Sequence, residues 1–246
     1  MTFFRRPPAF SILRHFVLLI LPLALSGAVT APVTVEIAPA KIERRTFDPK
    51  HPPAGMPKLT PPEVGTCVYQ FACSTEAQAE GAWLGKQPAH VTEIALRATL
   101  TVTLWTPAGG PAKILTHEEG HREICEYYYD QAEQIGRRLA QRVLGVALHA
   151  RTKPAMTAEL DRLQKGVIRE FLEETATRCD FAQARFDAIT EHSMNPIAEN
   201  VAIVRAIAAE EASYAQTRGG PGARPASGAG AAAATGRFPP TRPNAR

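Results

Sequence analysis

The sequence predicts an α+β fold, a small antiparallel sheet packed on two or three long helices. Three observations carry that expectation. Residues His90 to Leu104 are rich in Val, Ile, Leu and Thr, with partial alternation of Thr99, Thr101 and Thr103 against Leu100, Val102 and Leu104, and read as one or two strands. Further on, Ile124, Tyr128, Ile135, Leu139 and Val143 recur at steps of four and seven, the apolar stripe of an amphipathic helix. Beyond Pro154, the spacing of Leu160, Leu163, Val167 and Phe171 describes a second such helix.

Taken in order, Val33 to Ile37 reads as a short strand. Pro39 to Pro62 holds Pro49, Pro52, Pro53, Pro57, Pro61 and Pro62 and reads as an extended segment wrapped on the surface. The strand-like run His90–Leu104 then leads to Gly109-Gly110-Pro111, a turn, with Thr116 as a cap if the helix begins late. No proline follows until Pro154, so a helix of about 35 residues is allowed. The second helix starts near Thr157 and can run on toward Glu191. Asn195-Pro196 marks a break and opens a third, alanine-rich helix, Ile197 to Ala215, with proline at its first position. No internal repeat is present.

The two ends differ from this body. Residues 1–31 carry Arg5, Arg6 and Arg14, an apolar run from Phe16 to Leu25, and small-residue cleavage sites at Ser26-Gly27-Ala28 and Val29-Thr30-Ala31, the layout of a secretory signal. The run is too short, and Pro22 too central, for a membrane span, so no stable span is expected after cleavage. The residues following Arg5-Arg6 fit a twin-arginine signal poorly. Residues 217–246 are Gly, Ala, Pro and Arg with almost no large apolar side chains and should form a disordered tail. Of the formal net charge of +4, three positive charges fall in residues 1–31 and five in 217–246, leaving −4 on residues 32–216. A mildly acidic body argues against nucleic-acid binding. These 185 or so residues are enough for one sizeable core, so a single domain is expected over 32–216.

The chemistry sits at residues 117–121, His-Glu-Glu-Gly-His. On a helix His117 and His121 leave one face a turn apart, the spacing at which two imidazoles share a zinc ion. Glu118 then faces the fourth position, where a carboxylate can take a proton from a zinc-activated water and return it to a leaving amine. A strand followed by such a helix is the general layout of zincin hydrolases. A catalytic zinc keeps three protein ligands. A histidine six residues beyond His121 is absent, since Tyr127 stands there. Glu170, Glu173, Glu174, His149 and His192 are the downstream candidates, with Cys125, four residues past His121, as a rival. Tyr127, Tyr128 and Tyr129 are candidate oxyanion donors, although a helical Tyr triplet more often packs.

The segment Phe186-Asp187-Ala188-Ile189-Thr190-Glu191-His192 resembles the Tyr-Asp-x-x-Thr-x-His-Gly signature of the domain of unknown function 922 family, secreted zinc-dependent proteases with an H-E-x-x-H helix ahead of that signature. The resemblance spans roughly Val91 to His192, and less closely the chain from Thr46. It implies His117, His121 and His192 as zinc ligands, Glu118 as general base, and Asp187 and Thr190 as supports of the third ligand, Asp187 by orienting an imidazole through its free N–H. Phe186 stands where the signature has tyrosine and Ser193 where it has glycine.

Four cysteines in an exported chain suggest two disulfides. Cys67 and Cys73 are close enough in sequence to close a short loop, leaving Cys125 with Cys179 to tie the motif helix to the next. The lengths conflict, however. Cys125 lies about 6 Å of helical rise past His121, and Cys179 about 20 Å before His192. They agree only if the second helix bends around Cys179 to Phe186, or if the helices cross steeply. The functional expectation is a periplasmic or secreted zinc metallopeptidase acting on a peptide or protein substrate. The alternatives are a non-catalytic envelope binding protein that keeps the fold, and a zinc amidase acting on cell-wall peptides.

Overall fold

The computed structural model describes residues 32–81, 88–150 and 152–219, all of which belong to one unit. The segment read as a secretory signal (1–31) and residues 220–246 of the segment read as a tail lie outside the described residues. The spine is the 19-residue strand β4 (Ala89–Pro107). Along one edge β3 (Thr66–Glu80) pairs antiparallel, from Glu80 opposite His90 to Thr66 opposite Trp105. The other edge carries three short strands end to end. They are β5 (Ala147–Leu148), antiparallel, then β1 (Val33–Ile37) and β2 (Lys41–Phe47), both parallel to β4.

The sheet is therefore mixed, which corrects the expectation of an antiparallel sheet. The missing piece was β2, hidden in the segment read as a proline-rich surface wrap. Its residues Lys41–Phe47 contain no proline, the run of prolines beginning only at Pro49, so every amide of β2 is free to join the ladder. β3 was also missed.

The strand β4 changes phase once. Gln78 pairs with Glu93 but Ala79 with Val91, leaving Thr92 as the extra residue of a bulge. Before it Ala89 and Val91 face inward; after it Ile94, Leu96, Ala98, Leu100, Val102 and Leu104 do, with the alternating threonines on the other face.

Three of the five helices lie against the buried face of the sheet, and the last two pack on the first helix and on each other. The predicted long first helix is two, α1 (Ala112–Tyr129) and α2 (Ala132–Val143). Its stripe survives the break, with Ile124, Tyr128, Ile135, Leu139 and Val143 all buried. Neither proline nor glycine marks the interruption; the Tyr129 hydroxyl reaches the carbonyls of Ala38 (2.6 Å) and Ala98 (3.0 Å) and ties the end of α1 to the sheet. α3 (Lys153–Leu172) begins earlier than predicted, capped by the Thr152 hydroxyl, which accepts from the Ala155 amide. Five residues with π-helical bonding, Glu173–Thr177, join it to α4 (Arg178–Thr190) without an intervening loop. The irregularity expected at 179–186 lies here instead. α5 (Glu199–Gly219) starts three residues after Pro196 and runs three residues into the segment read as tail.

Ile94, Leu96, Leu100 and Leu104 of β4 share one core with Ile124 and Tyr128 of α1, Leu139 of α2, Phe171 of α3 and Phe186 of α4, each at most 2 % exposed. Burial of each such side chain is worth about 1.5–3 kcal/mol. No helix among the described residues is long and apolar enough to cross a membrane.

Candidate metal centre

Helices α1 and α4 meet in three pairs that step by four residues in opposite directions. His117 faces Asp187, His121 faces Gln183, and Cys125 faces Cys179. Four residues is close to one helical turn, so the three pairs form an antiparallel ladder on the contacting faces.

At its top, the His121 Nε2 atom lies 3.0 Å and the His117 Nε2 atom 3.3 Å from Asp187 Oδ1, and the two nitrogens are 3.2 Å apart. Asp187 Oδ1 is buried without an aligned hydrogen bond to either ring. Atoms that converge in this way surround a common point. Ligands about 2.05 Å from a tetrahedral ion would be about 3.3 Å from one another, which is the spacing observed here. Two imidazole nitrogens and a carboxylate oxygen are also a donor set that suits a divalent transition ion. His117, His121 and Asp187 fit a metal ion.

The third member of this triplet is Asp187, where the resemblance implies His192. His192 stands at the rim of the same cavity, Nδ1 3.6 Å from Asp187 Oδ1, outside the tight group. Asp187, assigned a supporting role, occupies the position between the imidazoles. Thr190 touches neither imidazole; its buried hydroxyl donates to the Phe186 carbonyl at 2.8 Å and the Asp187 carbonyl at 3.4 Å on its own helix. The length conflict noted from the sequence now resolves. Cys125 is eight residues past His117 and Cys179 eight before Asp187, equal rises of about 12 Å.

The rings are held from behind. Gln183 accepts from His121 Nδ1 and donates to the His121 carbonyl at 2.9 Å, which leaves Nε2 facing the centre. Phe186 stacks on His117, centroids 4.9 Å apart and planes within 16°, and meets His121 edge-on. Gly120 makes room for it, because a Cβ there would lie 2.6 Å from Phe186 Cζ.

Glu118 is 3 % exposed, and its Oε2 has no hydrogen-bond partner. Burial raises its carboxyl to about 7, against the pull of His121 and with the help of Asp187. Gly65 presses close, since a Cβ there would stand 2.7 Å from Glu118 Oε1. For His121, burial opposes the charge, but the Asp187 carboxylate overcomes it and lifts the imidazole to about 9. Asp187 itself is held well below the usual carboxylate range; burial works against its charge and the two imidazoles outweigh it. These groups line a cavity of about 220 Å³, closed on the other side by Glu63, Val64 and the start of β3.

The remaining candidates lie elsewhere. Glu170 pairs with Arg142, and buried Glu174 with Arg138 and Arg218. Neither these, Glu173 nor His149 lines the cavity. Tyr128 is buried beneath Arg178, Tyr129 bonds the sheet and Tyr127 is exposed, and none of the three lines the cavity. Cys125 is wholly buried behind Gln183 and is no ligand. All four cysteines are free. Cys67 and Cys73 share the inward face of β3 six residues apart, about 20 Å along a strand, too far for the disulfide expected between them. Sequence reasoning missed Gln183 and Glu199, although Gln183 is one turn from both Cys179 and Asp187. No family model, curated protein or solved structure matches this chain, so the expected zincin likeness has no support from a known fold.

Proposed function

We propose that the protein is an exported zinc-dependent peptidase in which His117, His121 and Asp187 hold the ion and Glu118 serves as general base. One observation carries this reading: three ligand atoms lie at the mutual spacing of a metal site, beside a buried carboxylate with an unsatisfied oxygen. A bound zinc ion would supply Lewis acidity, polarising the scissile carbonyl and making water more acidic. Glu118, poised near neutrality, takes the proton of the attacking water and delivers it to the departing amine. Glu63, Val64 and Thr66 wall the cavity opposite α1 and confine the peptide against the base. Gln183 and Phe186 keep both imidazoles from rotating. The signal-like residues 1–31 and the zinc-protease signature around Asp187 support export and peptide substrates respectively.

The test is the metal content and hydrolysis of the purified protein with two variants. His117→Ala should lose the metal. Glu118→Gln should retain it while losing cleavage by at least about 100-fold. Metal binding without Glu118-dependent cleavage of peptides would overturn the peptidase reading in favour of a binding protein, and Glu118-dependent cleavage confined to cell-wall fragments would favour an amidase.

A further inference from the structure

Behind the ring of His117, on the side away from Asp187, lies a carboxylate with no other evident task. Glu199, the first residue of α5, is 11 % exposed in its side chain, and its Oε2 stands 3.7 Å from His117 Nδ1. Neither oxygen of Glu199 has a hydrogen-bond partner, nor does His117 Nδ1, and all three atoms are sealed from solvent. An unpaired buried polar atom destabilises the fold, and here three face one another across a gap just longer than a hydrogen bond. The opposite nitrogen of the same ring points at the His117–His121–Asp187 cluster. The other imidazole of the pair already has its rear partner in Gln183.

We infer that Glu199 is the positioning residue of His117. It accepts the Nδ1–H, selects the tautomer whose Nε2 lone pair faces the cluster, and makes that nitrogen a better donor to a metal ion. The two rings are thus backed differently, His121 by an amide and His117 by a carboxyl group. The N-terminus of α5 favours a negative charge at that position. The packing of α5 against α1 becomes part of the metal site, because no residue of α1 or α4 takes this place. The inference rests on the reading of His117, His121 and Asp187 as a metal centre.

The experiment measures Zn²⁺ and Co²⁺ affinity of the full chain by chelator competition, for wild type, Glu199→Gln and Glu199→Ala. It also follows the unfolding midpoint of each protein without metal. Affinity should fall 10–100-fold in Glu199→Ala and less in Glu199→Gln, which keeps an acceptor oxygen. The metal-free midpoint should hold or rise, since two buried oxygens that have no hydrogen-bond partner are removed. A merely structural role would lower midpoint and affinity together, and that outcome, or an affinity unchanged within about twofold, overturns the inference. Should the alanine variant fail to fold, the glutamine variant and ¹⁵N spectra of the zinc-loaded wild type decide. His117 bound through Nε2 with its proton on Nδ1 agrees with the assignment, and binding through Nδ1 refutes it. A wild type that binds neither ion removes the metal-centre reading and this inference with it; a wild type that binds while the variants match it removes the inference alone.

Discussion

Phe186 lies flat against His117, ring centroids 4.9 Å apart, and its far edge fills the space that a side chain at Gly120 would need. The glycine of the H-E-x-x-H turn is therefore a packing requirement of the neighbouring helix. Gly120→Ala should destabilise the protein by about 1–3 kcal/mol through overpacking, despite the better helix propensity of alanine. Chemical denaturation measures it. A neutral or stabilised variant would mean that the ring does not press on α1.

Asp187 and His192 compete for the third ligand role, and their variants separate them. Asp187→Ala should abolish stoichiometric binding of Zn²⁺, because it removes an atom 3.0–3.3 Å from both imidazole nitrogens. His192→Ala, whose ring lies outside the tight group, should weaken binding by no more than about 10-fold. Equilibrium dialysis distinguishes them, and the reverse order would restore the three-histidine set.

The metal-free protein should lose stability as pH rises from about 5 to 9. Glu118 holds its proton up to about 7 when folded, against 4.5 as a free carboxyl, so between those values the folded state binds more protons. That contribution, on the order of 3 kcal/mol, is complete below 4.5 and lost as pH rises through 7. His121, raised from 6.5 to about 9, contributes below 6.5 and loses its contribution as pH rises through 9. Glu118→Gln should flatten the lower half of this profile and leave the upper half. Denaturation midpoints across pH test it, and a wild type most stable at pH 9 would refute it.

Oxidation should link Cys125 to Cys179 and never Cys67 to Cys73. The first pair of thiols is 3.7 Å apart across the α1–α4 contact. Oxidised glutathione accepts two electrons, and the two thiols release two protons as the S–S bond forms. Burial raises the Cys125 thiol well above its ordinary value, so little thiolate is present and the native protein should react slowly. Once formed, the bond should add about 2–4 kcal/mol. Peptide mapping under non-reducing conditions identifies the pair, and a Cys67–Cys73 peptide would contradict the strand assignment of β3.

The chain leaves α4 through three consecutive left-handed residues, Glu191 (φ 49°), His192 (φ 51°) and Ser193 (φ 67°). Glycine is at ease there, as the resembling signature has it at the Ser193 position. Ser193→Gly should raise stability by about 1 kcal/mol by removing the Cβ conflict. Thermal unfolding reads it, and a loss of stability would show that the serine side chain holds the turn.

The parts of the fold that were legible are those with a short period. The Thr/Leu alternation of β4 and the apolar stripe of α1 and α2 express local rules; both were found, and the stripe is buried as expected. β2 and β3 were not, since Lys41–Phe47 has mixed charge and no clear alternation, and its strand exists because β4 offers an edge. The His117–Glu118–His121 unit was legible for the same local reason. Its third partner was not, although the unequal rises to Cys125 and Cys179 held the clue: a ladder built on one disulfide-like contact reaches Asp187 and stops short of His192.

The sequence alone determined the spacing of two imidazoles and a carboxylate on one helix, because helical geometry turns a four-residue step into a shared face without help from the rest of the chain. It likewise determined the alternation along β4 that its two faces express. Tertiary structure alone decided that Asp187 lies between the two imidazoles with His192 beside it, that Glu199 stands behind His117, and that Glu118 is dry enough to titrate near neutrality. These are properties of distance and desolvation between helices far apart in the chain, and no local period encodes them.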